Sequence, residues 1–110
     1  MNSNKKNELM SRFNDNLYDF HIHLGHLSRR KLIRMAGRIA AVNEAHEYLT
    51  KHYEWDEDEI EYFLMFADPL TIVADMWEPF RIDTSIIDLA LWYAFDDDSL
   101  FTEYPLIGKA

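Results

Sequence analysis

The chain has 110 residues, 48% of them hydrophobic, which suits one domain around one core, and its lack of cysteine excludes a disulfide framework, a thiolate metal site and a cysteine nucleophile. Its net charge of −9 is unevenly placed: residues 1–52 hold nine Lys/Arg against five Asp/Glu, a net of +4, and residues 53–110 hold two against fifteen, a net of −13. The acidic half disfavours a phosphate backbone as a direct ligand and favours a basic protein surface.

From the amino end, residues 1–6 are polar and form a disordered leader without the apolar stretch of a signal peptide. No apolar run approaches the roughly 20 residues of a membrane span. The expected protein is therefore cytoplasmic, with no membrane partner. Leu9, Phe13, Leu17, Phe20 and Leu24 recur at helical spacing from Asn7 and predict a first amphipathic helix closed by Gly25.

After a link at His26 and Leu27, Ser28 is a good N-cap for a long second helix reaching Tyr53. Leu32, Met35, Ile39, Val42, His46, Leu49 and Tyr53 form its apolar face, and Arg30, Arg34 and Arg38 stripe its other side. These two helices predict an antiparallel hairpin. Gly37 inside the second costs about 1 kcal/mol relative to Ala and predicts a close crossing with a neighbour.

Asp56 and Glu59 are spaced as a capping box, and Trp55 and Ile60 as a hydrophobic staple, so a third helix starts there. Ile60, Phe63, Leu64 and Ala67 are its predicted buried face, and Asp68-Pro69 ends it. Asp68 then caps a fourth helix with Pro69 in its first turn. Its inward residues are Leu70, Val73, Ala74 and Trp77, and Pro79 stops it. Beyond a link over residues 80–84, Ser85 and Asp88 suggest another capping box. The helix they open, Ile86 to Phe95, is apolar nearly all round and is expected at the centre of the fold. The tail, residues 99–110, is apolar enough to pack back on the domain. The whole predicts a compact all-α bundle of about five helices, with residues 7–98 as the domain.

Candidate chemistry is sparse. His21, His23 and His26 cluster near the end of the first helix, but His21 lies about 200° from His23 by the helical period, so three-point metal ligation needs an irregular backbone. The simpler role is helix-end or solvent-facing histidine. His46, on the apolar stripe, reads as a hydrogen-bonded core residue. Ser28 and Ser85 are explained as caps, none of Ser3, Ser11, Ser28, Ser85 and Ser99 lies in a GxSxG context, and Gly25, Gly37 and Gly108 form no phosphate loop. No catalytic residue, metal or cofactor is therefore expected, and the chain is not expected to be an enzyme.

The charged surfaces are the candidate sites. Glu54, Asp56, Glu57, Asp58, Glu59 and Glu61 place six carboxylates in eight residues, more than capping requires. Such a run is commonly a solvated face, yet it can imitate a phosphate backbone to a protein that binds nucleic acid. Asp96, Asp97 and Asp98 follow the last helix, where the helix dipole disfavours negative charge. Trp55 and Tyr62, with Phe66 close by, lie among these acids and are candidate aromatic anchors of an interface, but core packing and the staple are the favoured role for Trp55. Arg29, Arg30, Lys31, Arg34 and Arg38 form a second, basic patch.

The stretches "LIRMAGRIAAVNEAHEYL", "EIEYFL" and "DPLTIVADMWE", following a short amphipathic helix, resemble a family of small helical domains of unknown function. Its members are carried on conjugative elements and prophages of Gram-positive bacteria. The resemblance spans about Leu9 to Asp97. It rests on Ala45, Glu47 and Tyr48 in mid-helix and on Pro69, Leu70 and Trp77 in the proline-opened helix, and it implies no catalytic residues. By analogy of charge and setting the chain also resembles mobile-element anti-CRISPR proteins. That likeness implies a protein that binds a basic nucleic-acid-binding partner such as the CRISPR nuclease Cas9 and blocks nucleic-acid loading. Two alternatives are a nucleic-acid-binding regulator that uses the arginine stripe, and an accessory interaction protein of a conjugative element whose two-ended charge drives head-to-tail self-association, with a homodimer as the expected form.

Overall fold

Leu9 and Phe13, one helical turn apart, are fully buried on the first helix and set the direction of the core. The computed structural model describes residues 3–80, 91, 94–95 and 100–107. Within them run α1 (Ser3–Leu24), α2 (Arg29–Arg34), α3 (Ala36–Lys51), α4 (Glu57–Leu64), α5 (Pro69–Trp77), a 3-10 turn (Glu78–Phe80) and a short α6 (Leu100–Glu103). The backbone is also helical at Leu91, Ala94 and Phe95. The only extended pairing among the described residues is one isolated antiparallel bridge between Phe66 and Leu106. The all-α class read from the sequence is what the structure shows.

α1 and α3 form the antiparallel hairpin, because His21 reaches Asn43 at 3.0 Å while Asn14, two turns earlier, reaches His46 at 2.8 Å. Ala41, Val42, Ala45 and Leu49 are the buried face of α3, and its two alanines leave room for a close partner. That partner is α5, which packs on both α3 and α1. Pro69, Leu70, Ile72, Val73, Ala74 and Trp77 are all buried in its nine residues. Ile72 lies outside the stripe read from the sequence, so α5 is covered on nearly every side. The helix expected at the centre over 86–95 falls mostly outside the described residues; of it, Leu91 and Ala94 are buried.

The caps formed as read. Asp56 Oδ1 accepts from the Glu59 N–H at 2.9 Å and Glu59 Oε1 accepts from the Asp56 N–H at 3.2 Å, completing the box on α4. Asp68 Oδ1 accepts from the Thr71 N–H at 3.0 Å with Pro69 in the first turn of α5, and Ser28 Oγ accepts from the Lys31 N–H at 3.2 Å. Each such cap contributes about 1 kcal/mol by satisfying an orphan donor.

Four expectations are corrected. The long second helix is two helices meeting at Met35, whose φ of −95° and ψ of 10° leave the helical region. Met35 N–H still bonds Lys31 O at 3.0 Å and Ile39 N–H bonds Met35 O at 2.8 Å, so the break is a kink and not a loop. No residue of α2 is buried, and Gly37 lies just beyond the kink, so neither packing nor propensity holds the axis straight. Gly37 itself marks no forced crossing: a Cβ there would meet Glu78 Oε2 at 3.5 Å, an ordinary contact.

The expected leader is also helical from Ser3, with Lys5 Nζ on Glu61 Oε2 at 3.1 Å tying its first turn to α4. A polar first turn continues a helix through backbone bonds alone and leaves no apolar period to read. Finally, α4 unwinds after Leu64, so Ala67 is exposed while Phe66 turns into the core beside the bridge. The tail packs back there, with Leu100 buried, the Ala67 N–H donating to Pro105 O at 2.9 Å and the Ile107 N–H donating to Met65 O at 2.9 Å.

Candidate functional site

The link Tyr53–Asp56 delivers the chain to the start of α4 and places the acidic run there. Glu54, Asp56, Glu57, Asp58 and Glu61 are exposed and Glu59 is half-buried. Glu57, Asp58 and Glu59 occupy the first turn, where the positive end of the helix dipole favours them. The capping box engages Asp56 and Glu59, the Tyr53 hydroxyl donates to Glu59 Oε2 at 2.8 Å, and Lys5 engages Glu61. Glu54, Glu57 and Asp58 have no ion-pair partner among the described residues. Asp96, Asp97 and Asp98 lie outside the described residues.

The two aromatic residues among these acids turn inward. The Trp55 indole N–H donates to Leu49 O at 2.9 Å, and its ring meets Tyr53 at 4.7 Å, Phe63 at 5.7 Å and Phe13 at 5.8 Å. Its polar tip and its faces are thus taken by the fold. Tyr62 donates its hydroxyl to Ala94 O at 3.3 Å and sits between Phe66, Phe95 and Phe101, with Phe66 itself fully buried. Neither Trp55 nor Tyr62 stands clear as an anchor. One side of Tyr62 does reach the surface, where Asp58, Glu59, Tyr62 and Phe95 line a shallow depression of about 190 Å³.

The basic patch divides. Arg29, Arg30, Lys31 and Arg34 are exposed on α2 and have no ion-pair partner among the described residues. Ile33 is 69% exposed between them, and Arg29, Arg30, Ile33 and Arg34 line an open trough. Arg38 leaves this group: from α3 it pairs with Asp75 and, at 3.4 Å, with Glu78. The Arg38 Nη1 and Asp75 Oδ1 atoms are buried and meet as an ion pair without an aligned hydrogen bond. Tyr104 donates its hydroxyl to the other oxygen of Asp75, joining the tail to α5. Burial, that bond and the Asp75 charge push the Tyr104 phenol well above its ordinary range. The Trp77 indole N–H closes this side of the core on Glu44 at 3.0 Å.

Among the histidines, His46 is hydrogen-bonded to Asn14 as expected, but it is only half-buried and so lies at the edge of the core and not within it. Burial, followed by the charges of Lys51 and His21, lowers its pKa, against an opposing effect of Glu47. His23 and His26 are exposed, and no three potential metal ligands converge among the described residues. No helix among those residues is long and apolar enough to cross a membrane.

Two residues that hold the α4–α5 link were not legible as such. Arg12 Nη1 donates to Leu64 O at 2.6 Å and Phe66 O at 3.1 Å, and Asn16 bonds Ala67 O at 3.1 Å and the Leu70 N–H at 3.4 Å. Their signal was positional: they sit one turn apart beside the buried Leu9 and Phe13, where a polar side chain must reach a partner. Compared with known proteins, the chain matches no family model, no curated protein and no solved structure, so the reading of these surfaces rests on their own geometry.

Proposed function

We propose that this protein is a binding module with no chemistry of its own, whose acidic α4 start occupies a basic groove that a partner uses for nucleic acid. The observation that carries this reading is the exposure of Glu54, Glu57 and Asp58, which remain unpaired among the described residues after the caps and Lys5 are accounted for. Carboxylates spaced along a helix start repel one another unless a cationic surface covers them. Such a contact is steered by charge and weakens with salt. By analogy of charge and setting with mobile-element anti-CRISPR proteins, the partner we propose is a host defence nuclease of the CRISPR-Cas9 type, inhibited by blocked nucleic-acid loading.

The test is a pull-down and cleavage assay on a panel of CRISPR nucleases, each with and without guide RNA. The triple variant Glu54→Gln, Glu57→Gln, Asp58→Asn leaves Asp56 and Glu59 in place, so circular dichroism should show an unchanged fold. Binding is expected to fall by at least about tenfold, or 1.4 kcal/mol. Unchanged inhibition by the folded variant would defeat the mimic mechanism.

A second reading, a regulator binding RNA or DNA through α2, is favoured by the four exposed cations of that helix and opposed by the overall charge of −9. It requires nucleic-acid binding by the free protein that is lost when Arg30 and Arg34 are replaced.

A further inference from the structure

α2 is a helix of six residues with none buried, although an ordinary surface helix covers the core with one face. It exposes Arg29, Arg30, Lys31 and Arg34 around Ile33. An occupant for this surface has to be anionic and to offer an apolar contact. Nucleic acid and anionic lipid supply the charge, but both are repelled by a molecule whose net charge is −9.

A second copy carries the same net charge, so the contact rests on local complementarity: a localised acidic surface of one copy meets a localised basic surface of the other. The depression lined by Asp58, Glu59, Tyr62 and Phe95 is chemically matched to a guanidinium: the exposed Asp58 carboxylate accepts its N–H groups, Glu59, already bonded to the Asp56 N–H and the Tyr53 hydroxyl, adds negative charge, and aromatic rings receive its flat face or the Ile33 side chain. We propose that α2 of one copy docks on the Asp58–Phe95 depression of another, through Arg30 or Arg34 with Ile33 beside them.

The contact is heterologous, since the two surfaces differ, so each copy keeps one free donor and one free acceptor surface. Association therefore extends into a ring or an open chain instead of stopping at a two-fold dimer. A six-residue helix covers little area, which places the affinity in the weak, transient class and makes it strongly salt-dependent. The contact also covers Asp58, so self-association competes with any basic partner that uses the same acids.

Sedimentation velocity on the full chain tests this over a range of concentrations, at low ionic strength and at about 0.5 M salt, where charges are screened within a few Å. The wild type should self-associate at low salt and dissociate at high salt. Arg30→Glu/Arg34→Glu, which touches no buried residue, and Glu57→Gln/Asp58→Asn, which spares the capping box, should each remain monomeric. Mixed together, they should form a 1:1 pair and nothing larger, because one retains only the donor surface and the other only the acceptor. A wild type that stays monomeric at low salt, association that survives the α2 reversal, or a mixture that stays monomeric would each overturn the assignment. The inference does not depend on the proposed target: the α2 variant loses self-association while its acidic face remains intact for a basic partner.

Discussion

α5 and α2 are both short helices, and they differ in almost everything that packing decides. Six of the nine residues of α5 are buried, and it is opened by Asp68 and Pro69, while α2 is as well capped by Ser28 and buries nothing. Capping therefore starts a helix without saying what the helix is for. The neighbours available to its faces decide that. α5 packs on both α1 and α3 and supplies cohesion, whereas α2 follows the hairpin turn, has no buried residue, and supplies surface.

The sharpest way to break this comparison is to truncate one residue in each. Trp77→Ala should destabilise the fold by about 3–5 kcal/mol, the range for emptying a buried aromatic site, with the loss of its indole bond to Glu44 included. Ile33→Ala should stay within about 0.5 kcal/mol. Urea unfolding of both variants measures the contrast, and similar losses would mean that α2 is covered in solution. Arg12→Ala should rank next, at about 2–3 kcal/mol, because it strands the Leu64 and Phe66 carbonyls that the guanidinium now satisfies. A near-neutral result would show those carbonyls to be solvated already.

The smallest expected effect is a pH dependence. His46 has a folded pKa below its ordinary 6.5, so the unfolded chain takes up its proton first as pH falls. Its contribution is complete above 6.5 and is lost as pH falls through that value toward the lowered folded pKa. Melting temperatures between about pH 8 and 5 should show this decline, and His46→Gln should flatten it.

Much of the fold was legible because its signals are local. The Asp56–Glu59 box, the Asp68-Pro69 start and the buried stripes on α1, α3 and α5 each follow from residues a few positions apart. The kink at Met35 was not, because the apolar period runs through it unbroken while the cause, that no residue of α2 is buried, is tertiary. The arginine stripe misled for a similar reason: Arg30, Arg34 and Arg38 share a helical period, but Asp75 and Glu78, far along the chain, draw Arg38 away. At the acidic run the sequence showed the charge and, through the staple spacing, an inward Trp55, whereas the packing of Tyr62 against Phe66, Phe95 and Phe101 depends on residues distant in the chain.

The link between α4 and α5 is gripped from two directions in sequence. Arg12 reaches it across 52 and 54 positions, and Pro105 and Ile107 bond its other side. Both grips require long loops to close before they contribute, and closure entropy grows with loop length. Phe66 and its neighbours have their native bonds only when both distant segments are in place, and until then the Met65–Phe66 backbone is open to unwanted pairing.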